Sequence, residues 1–173
     1  MGYLMDIREA IHKRRSIRKF QNKEVSDDII RKLLEDAMAA PSACNKQPWE
    51  FYVIKNKELQ NSIKSKVMFS NYNSPLLIVA CGNNELSLTK DNNDFWIQDV
   101  SAAIENILLS ALSFDLGTCW CGLYPSDKRC KRVKDILELP NNLIPLALIH
   151  IGYPEQFLES RTQYDESKVH YIN

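Results

Sequence analysis

The chain has 173 residues, 45% of them hydrophobic, which is enough for one sizeable core and excludes any need for a second domain. Lys plus Arg and Asp plus Glu stand at 22 each, so no global field favours nucleic acid or an acidic membrane surface, and a basic cluster must be local. Five cysteines, odd in number and without secreted-scaffold spacing, together with no stretch that reads as a signal peptide or membrane span, point to a reducing cytoplasm.

Asp6 is placed to cap a short helix, with Glu9 three residues on and Ile7, Ala10 and Ile11 as an apolar stripe ending near Arg14. The basic segment Arg14-Arg15-Ser16-Ile17-Arg18-Lys19-Phe20 follows. In an extended chain Arg14, Ser16 and Arg18 share one side, and Arg15, Ile17 and Lys19 share the other. Ser26 caps a second helix, with Asp27 and Asp28 in its first turn and Ile29, Ile30, Leu33, Leu34, Ala37 and Met38 at helical spacing, until Pro41 stops it. Pro41-Ser42-Ala43-Cys44-Asn45-Lys46-Gln47-Pro48-Trp49 reads as a stiff loop of small and amide side chains leading into a strand from Glu50 to Ile54. Leu59, Ile63 and Val67 mark a short helix after Asn56, and Pro75 opens an apolar run from Leu76 to Cys81 whose lack of alternation predicts a fully buried strand.

From Gly82 to about Phe95 runs the longest stretch without periodicity, including Asn83, Asn84, Asp91, Asn92, Asn93 and Asp94, a length typical of lids or substrate walls. Val100, Ala103, Ile104, Ile107, Leu108, Ala111 and Leu112 then predict the central helix of the core, closed by Gly117. Thr118 to Leu123 reads as a strand, Ser126 as the cap of a helix ending before Pro140, and Ile144 to Ile151 as another buried strand. Gly152-Tyr153-Pro154 ends the globular pattern. The polar tail from Glu155 to Asn173 reads, by composition alone, as a frayed terminus.

Arg14, Ser16 and Arg18 make a three-point clamp for a phosphate ester: a guanidinium binds phosphate bidentately, a hydroxyl shares it or a sugar alcohol, and the second guanidinium stands about 6 to 7 Å further along. A Lys/Arg-rich stretch by itself also reads as a solvated face or a nucleic-acid patch. There is no Gly-x-Gly-x-x-Gly and no P-loop, so side chains must hold the phosphate. His12, His150 and His170 show no metal-ligand spacing, and His150 reads as a satisfied core histidine. Cys119 and Cys121 share a strand face at a separation poorly suited to a bridge and lack the second pair of a zinc site, so packing is the better reading. Tyr72, Phe69 and Trp96 are candidates either for a substrate slot or for the core.

The clamp and the Pro41–Trp49 loop together resemble the FMN-dependent nitroreductase family, which has an Arg-x-Ser-x-Arg/Lys-x-Phe clamp and a Pro-Ser-x-x-Asn-x-Gln-Pro-Trp loop in this order. Trp96-Ile97-Gln98-Asp99 with Ser101-Ala102-Ala103-Ile104-Glu105-Asn106 is similar to that family's dimer-core helix. Leu116-Gly117-Thr118-Cys119-Trp120-Cys121-Gly122 is similar to the strand beneath its flavin ring, and Gly152-Tyr153-Pro154 with Arg161 and Tyr164 to His170 to its ending. The chain departs from the pattern at Val169-His170-Tyr171-Ile172-Asn173, where family members often continue to a tryptophan.

The resemblance implies an α+β three-layer sandwich with a central, mostly antiparallel sheet, built as an interlocked homodimer with FMN at the interface. Residues 1–154 would form the single FMN-binding domain and 155–173 an extension crossing to the partner subunit. By similarity Arg14, Arg15, Ser16 and Arg18 would bind FMN from one subunit and Pro41, Ser42, Ala43 and Asn45 from the other, with Gln47 bracing the loop or touching the flavin. Trp120, Cys121 and Gly122 would lie under the ring, with Gly122 as a backbone donor, and Arg161 would be the second phosphate ligand. No metal and no catalytic acid or nucleophile is implied, because the cofactor does the chemistry. The leading function is an NAD(P)H-dependent reductase of nitroaromatics, quinones or similar flat acceptors working by a ping-pong mechanism, with Lys90 the one candidate for choosing NADPH. A flavin-binding or flavin-transforming protein without nicotinamide turnover, and a basic-patch interaction protein without cofactor, remain as alternatives.

Overall fold

The computed structural model describes residues 5–88 and 94–172. In chain order the elements are α1 (Ile7–Lys13), α2 (Asp27–Met38), β1 (Trp49–Ile54), α3 (Lys57–Lys66), β2 (Leu76–Asn83), α4 (Phe95–Ser110), β3 (Gly117–Gly122), α5 (Asp127–Leu137) and β4 (Leu143–Gly152). The strands form one antiparallel sheet in the order β1-β2-β4-β3. β2 is buried along its whole length, as a strand covered on both faces must be. On one face Ile78, Ala80, Ile149 and Ile151 pack with Leu33 and Ala37 of α2 and Val100, Ile104 and Ile107 of α4. On the other, Leu77, Val79 and Leu148 pack with Ile63 of α3 and Val133 of α5. Helices thus cover both sheet faces, the three layers expected.

The caps follow local chemistry. Asp6 accepts from the Arg8 and Glu9 amides, Ser26 from Ile29 and Asn56 from Leu59. Ser126 sits at the N-cap of α5 but makes no capping hydrogen bond through its side chain. β4 accommodates Pro145 in mid-strand at an irregularity where Ala80 pairs with Ala147 and Cys81 with Pro145, so the missing N–H falls where the ladder is already broken.

Three expectations are corrected, and for Trp96 the core reading holds over the slot. Gly82 and Asn83 complete β2 and are not part of a loop, and Lys90, Asp91, Asn92 and Asn93 lie outside the described residues. Gly117 does not close the central helix. α4 runs into a 3-10 turn, Ala111–Phe114, and Asp115 takes the left-handed position at φ 55°, which a short polar side chain tolerates. Trp96 is core, 2% exposed and edge-on to Tyr124, and so lines no slot. Lastly, Ile7 and Ile11 of the α1 stripe remain 62% and 53% exposed.

Candidate functional site

Arg14 is the C-cap of α1, and its ψ of 122° turns the chain out of the helix into the extended basic segment. The Ile17 amide donates to the Thr118 carbonyl at 2.8 Å, so this segment lies beside edge strand β3 with Ser16 in a parallel bridge to Thr118. Gly117 makes that approach possible, since a Cβ there would stand 2.6 Å from Ile17 Cγ1. Ile17 is buried while Arg18 and Lys19 are both exposed, so Lys19 does not share the buried side with Ile17 as strict strand alternation predicts. Further on, the Phe20 amide donates to Asn73 Oδ1 at 3.1 Å and its carbonyl accepts from Asn73 Nδ2 at 2.7 Å. The Gln21 amide reaches Tyr153 O, and the Lys19 carbonyl accepts from Glu155.

The arginines diverge. Arg14 Nε is 3.3 Å from Glu105 Oε1 on α4, and burial raises the Glu105 pKa against the pull of Arg14. Arg15 donates through Nη1 to the Glu159 carbonyl, and the Arg161 amide donates to His12 O, so the tail runs back along the end of α1. Arg14, Arg15, Thr118, Leu116, Tyr153 and Ser160 are among the residues lining a cleft of about 670 Å³ there. Arg18 reaches only the Ser16 carbonyl by strict geometry, at 3.4 Å, and faces Tyr72, Cys119 and Cys121. Among the described residues no carboxylate forms an ion pair with Arg15, Arg18 or Arg161. Of these, Arg15 lines the cleft, where a cation without an acid partner suits an anionic ligand.

β3 supplies the floor. Thr118 turns its carbonyl outward to Ile17, so by strand alternation Trp120 and Gly122 also aim their N–H and C=O away from β4. A Cβ on Gly122 would meet only Tyr124 O at 3.9 Å, leaving open space for a flat ligand to approach the backbone. Cys121 Sγ lies 3.6 Å from the Phe69 carbonyl oxygen. The Cys119 thiol is pushed down to about 7, chiefly by a hydrogen bond from Cys121 and also by Arg18, while the Cys121 thiol is pushed up. Cys81 rises to about 12, chiefly through burial and also through Glu50.

Pro41, Ser42, Ala43, Asn45 and Gln47 lie elsewhere in the chain's fold. Cys44, Asn45 and Gln47 all take positive φ, at 50°, 54° and 50°, which non-glycine residues adopt only when the surroundings enforce it. The braces are explicit: the Ala43 amide donates to Asp99 Oδ1 at 2.8 Å, the Gln47 amide to Ser42 Oγ at 2.9 Å, and Gln47 Nε2 to Asn45 Oδ1 at 3.2 Å. Gln47 therefore braces the loop. Asp99, buried on α4 with its Oδ2 lacking a partner, is the residue that sequence reading did not single out. Its signal was a carboxylate on the apolar stripe of a core helix. Asp99 and Glu105 are about 9 Å apart along α4, so loop and clamp use successive parts of one helix, yet no hydrogen bond or ion pair joins them among the described residues.

An extended basic segment beside the outward-facing amides of β3, with a braced loop on the same helix, makes up the candidate site. Comparison with known proteins gives the family. The profile described as the Nitroreductase family matches residues 11–71 and 69–153, and the chain belongs to that family of oxidoreductases. It is 37% identical over 168 residues to a Methanothermobacter thermautotrophicus protein named as an NADH dehydrogenase/NAD(P)H nitroreductase, covering 96% of this chain and 86% of that one. It superposes with a TM-score of 0.90 and 31% identity on a Parabacteroides distasonis structure of the same name, covering 96% and 98% of the two chains. An FMN-dependent nitroreductase from Clostridium difficile matches with a TM-score of 0.84 and 30% identity over 95% and 98%. These likenesses bear out the α+β nitroreductase fold expected from the sequence.

Proposed function

We propose that the protein is an FMN-dependent oxidoreductase that takes electrons from NAD(P)H and passes them to nitroaromatics, quinones or related flat acceptors. The observation that carries this is the clamp strand docked on β3, which sets arginines without acid partners beside the outward amides of Trp120 and Gly122. Arg14, Arg15, Ser16 and Arg161 hold the phosphate end, Gly122 donates to the ring, and Arg18 stands where negative charge gathers at the pyrimidine edge. Bound there, FMN supplies the hydride and electron transfer. Arg18 stabilises the reduced anion as a fixed positive charge. Donor and acceptor share one open face and visit in turn, a ping-pong order.

The Pro41–Gln47 loop completes the site from a second copy of the chain, with the 155–173 tail crossing between copies. Ile7 and Ile11 on α1, Phe157 and Ile172 in the tail are exposed apolar residues that a partner would cover. A homodimer also explains why the loop and clamp of one chain do not meet.

The test is uptake and turnover. The purified protein should be yellow, with close to one FMN per chain, and should oxidise NAD(P)H faster when a quinone or nitroaromatic is added. A colourless protein that ignores added FMN overturns the reading. A yellow protein inert to both nicotinamides favours a flavin-binding role instead.

A further inference from the structure

The layer formed by α3 and α5 carries cations that the FMN clamp does not use. α5 alone bears Lys128, Arg129, Lys131, Arg132 and Lys134 against Asp127 and Asp135, in a chain whose charges balance overall. Lys131 is neutralised by Asp135 at 2.8 Å, and Lys134 donates to the Asn141 carbonyl. Arg129 and Arg132 differ, for each is anchored to a main-chain carbonyl and, among the described residues, neither pairs with a carboxylate. Arg129 Nη1 donates to the Gly122 carbonyl at 3.3 Å, and Arg132 Nη1 to the Lys66 carbonyl at 2.8 Å. Three residues apart on one helix, the two arginines share a face, with Cβ atoms about 5 to 6 Å apart. Lys66 itself, the last residue of α3, is exposed. Phe69 follows it at 74% exposure with a left-handed φ of 66°, and Cys121 Sγ lies 3.6 Å from its carbonyl oxygen. Cations, a surface aromatic ring and the open end of β3 therefore adjoin.

We propose that Arg129 and Arg132, with Lys66, receive the phosphates of the electron donor, Arg129 the diphosphate and Arg132 with Lys66 the 2′-phosphate, so that the site prefers NADPH to NADH. That assignment rests on the FMN reading above, in which a nicotinamide stacks on the ring beside Gly122 and its diphosphate must leave past that residue. A guanidinium has five N–H donors, and the carbonyl that orients it uses one and leaves the charge uncompensated. Both arginines are thus held in place before a phosphate arrives, which lowers the entropy cost of binding it. An arginine paired with a carboxylate would lack that free charge.

The test is calorimetric titration of the FMN-loaded protein with NADP+ and NAD+, which differ only in the 2′-phosphate and have no hydride to give. The parent should bind NADP+ at least about fivefold more tightly than NAD+. Arg132→Ala, at an exposed position, should weaken NADP+ about tenfold and NAD+ less than about twofold. Arg129→Ala should weaken both about five- to tenfold. In Arg132→Ala the KM for NADPH should rise in step with the loss of NADP+ affinity, while kcat and FMN affinity stay at the parent's values. Lys131→Ala removes the same charge from the same helix, but one already paired with Asp135, and should alter neither titration. A parent without preference for NADP+, an equal loss of both dinucleotides in Arg132→Ala, or an equal effect of Lys131→Ala overturns the proposal, the last by showing only a general positive field. Failure of the FMN reading is seen separately, as a parent that takes up no flavin, and both ideas then fall.

Discussion

Arg14 carries two roles at once, because its backbone amide caps the end of α1 on the Ala10 carbonyl and its guanidinium faces the half-buried Glu105 carboxylate. A phosphate in the cleft would meet a side chain already oriented by that carboxylate. Arg14→Ala removes one charge-assisted contact, worth about 1.5 to 3 kcal/mol, so FMN affinity should drop about ten- to a hundredfold. Saturating FMN should restore most of the turnover, which a titration of activity against added FMN would reveal. His150 gives the residue scale a pH signature. Its folded pKa of about 3 lies below the ordinary value of 6.5, so the unfolded chain binds the extra proton between those limits. Stability is therefore fully present above about pH 6.5 and is lost as pH falls toward 3, with a slope of at most about 1.4 kcal/mol per pH unit. His150→Gln should flatten that slope between about pH 6.5 and 5, above the usual carboxylate range, in urea melts at stepped pH.

At the scale of elements, α4 serves as the shared spine: Asp99 braces the strained loop and Glu105 faces the clamp. Asp99→Ala should leave the Ala43 amide without its acceptor and let Cys44, Asn45 and Gln47 relax from positive φ. We expect a loss of about 1 to 3 kcal/mol in stability together with weaker FMN binding, while Asp99→Asn, which keeps the acceptor oxygen, retains more of both. Wild-type FMN affinity in Asp99→Ala would show that the loop needs no brace. Much of this level was legible from sequence. The caps at Asp6, Ser26 and Asn56 and the unbroken apolar run of β2 each rest on local chemistry that a reader can apply without the fold. What was not legible depends on tertiary contact. Asp115 and not Gly117 ends the helical stretch, Gly117 serving instead to let Ile17 approach, and Trp96 is buried against Tyr124. Likewise Ser70, Ser74 and His150 are far apart in sequence and meet only once β2 and β4 pair.

The whole molecule is a three-layer core that leaves apolar residues exposed on α1, at Met68 and Phe69 and along the tail. Phe157 and Ile172 are almost completely exposed in the single chain, an arrangement that costs hydration free energy unless another surface covers it. The tail is nonetheless attached where it starts: Glu155 donates to Lys19, Glu159 accepts from Arg15, and Arg161 donates to His12. Those three contacts place the root of the tail on α1 and the clamp of its own chain, while Phe157 and Ile172 stay exposed. Truncation before Glu155 should therefore injure two properties together. Losing Arg161 and the Glu159 carbonyl loosens the phosphate end of the cleft, and losing the apolar residues weakens association between copies. Sedimentation velocity with and without FMN should show the truncated chain dissociating at concentrations where the full chain stays dimeric, with FMN released in parallel. A truncated chain that is monomeric yet keeps FMN as tightly as the parent would place the whole cofactor site within one subunit and leave the Pro41–Gln47 loop without its proposed partner.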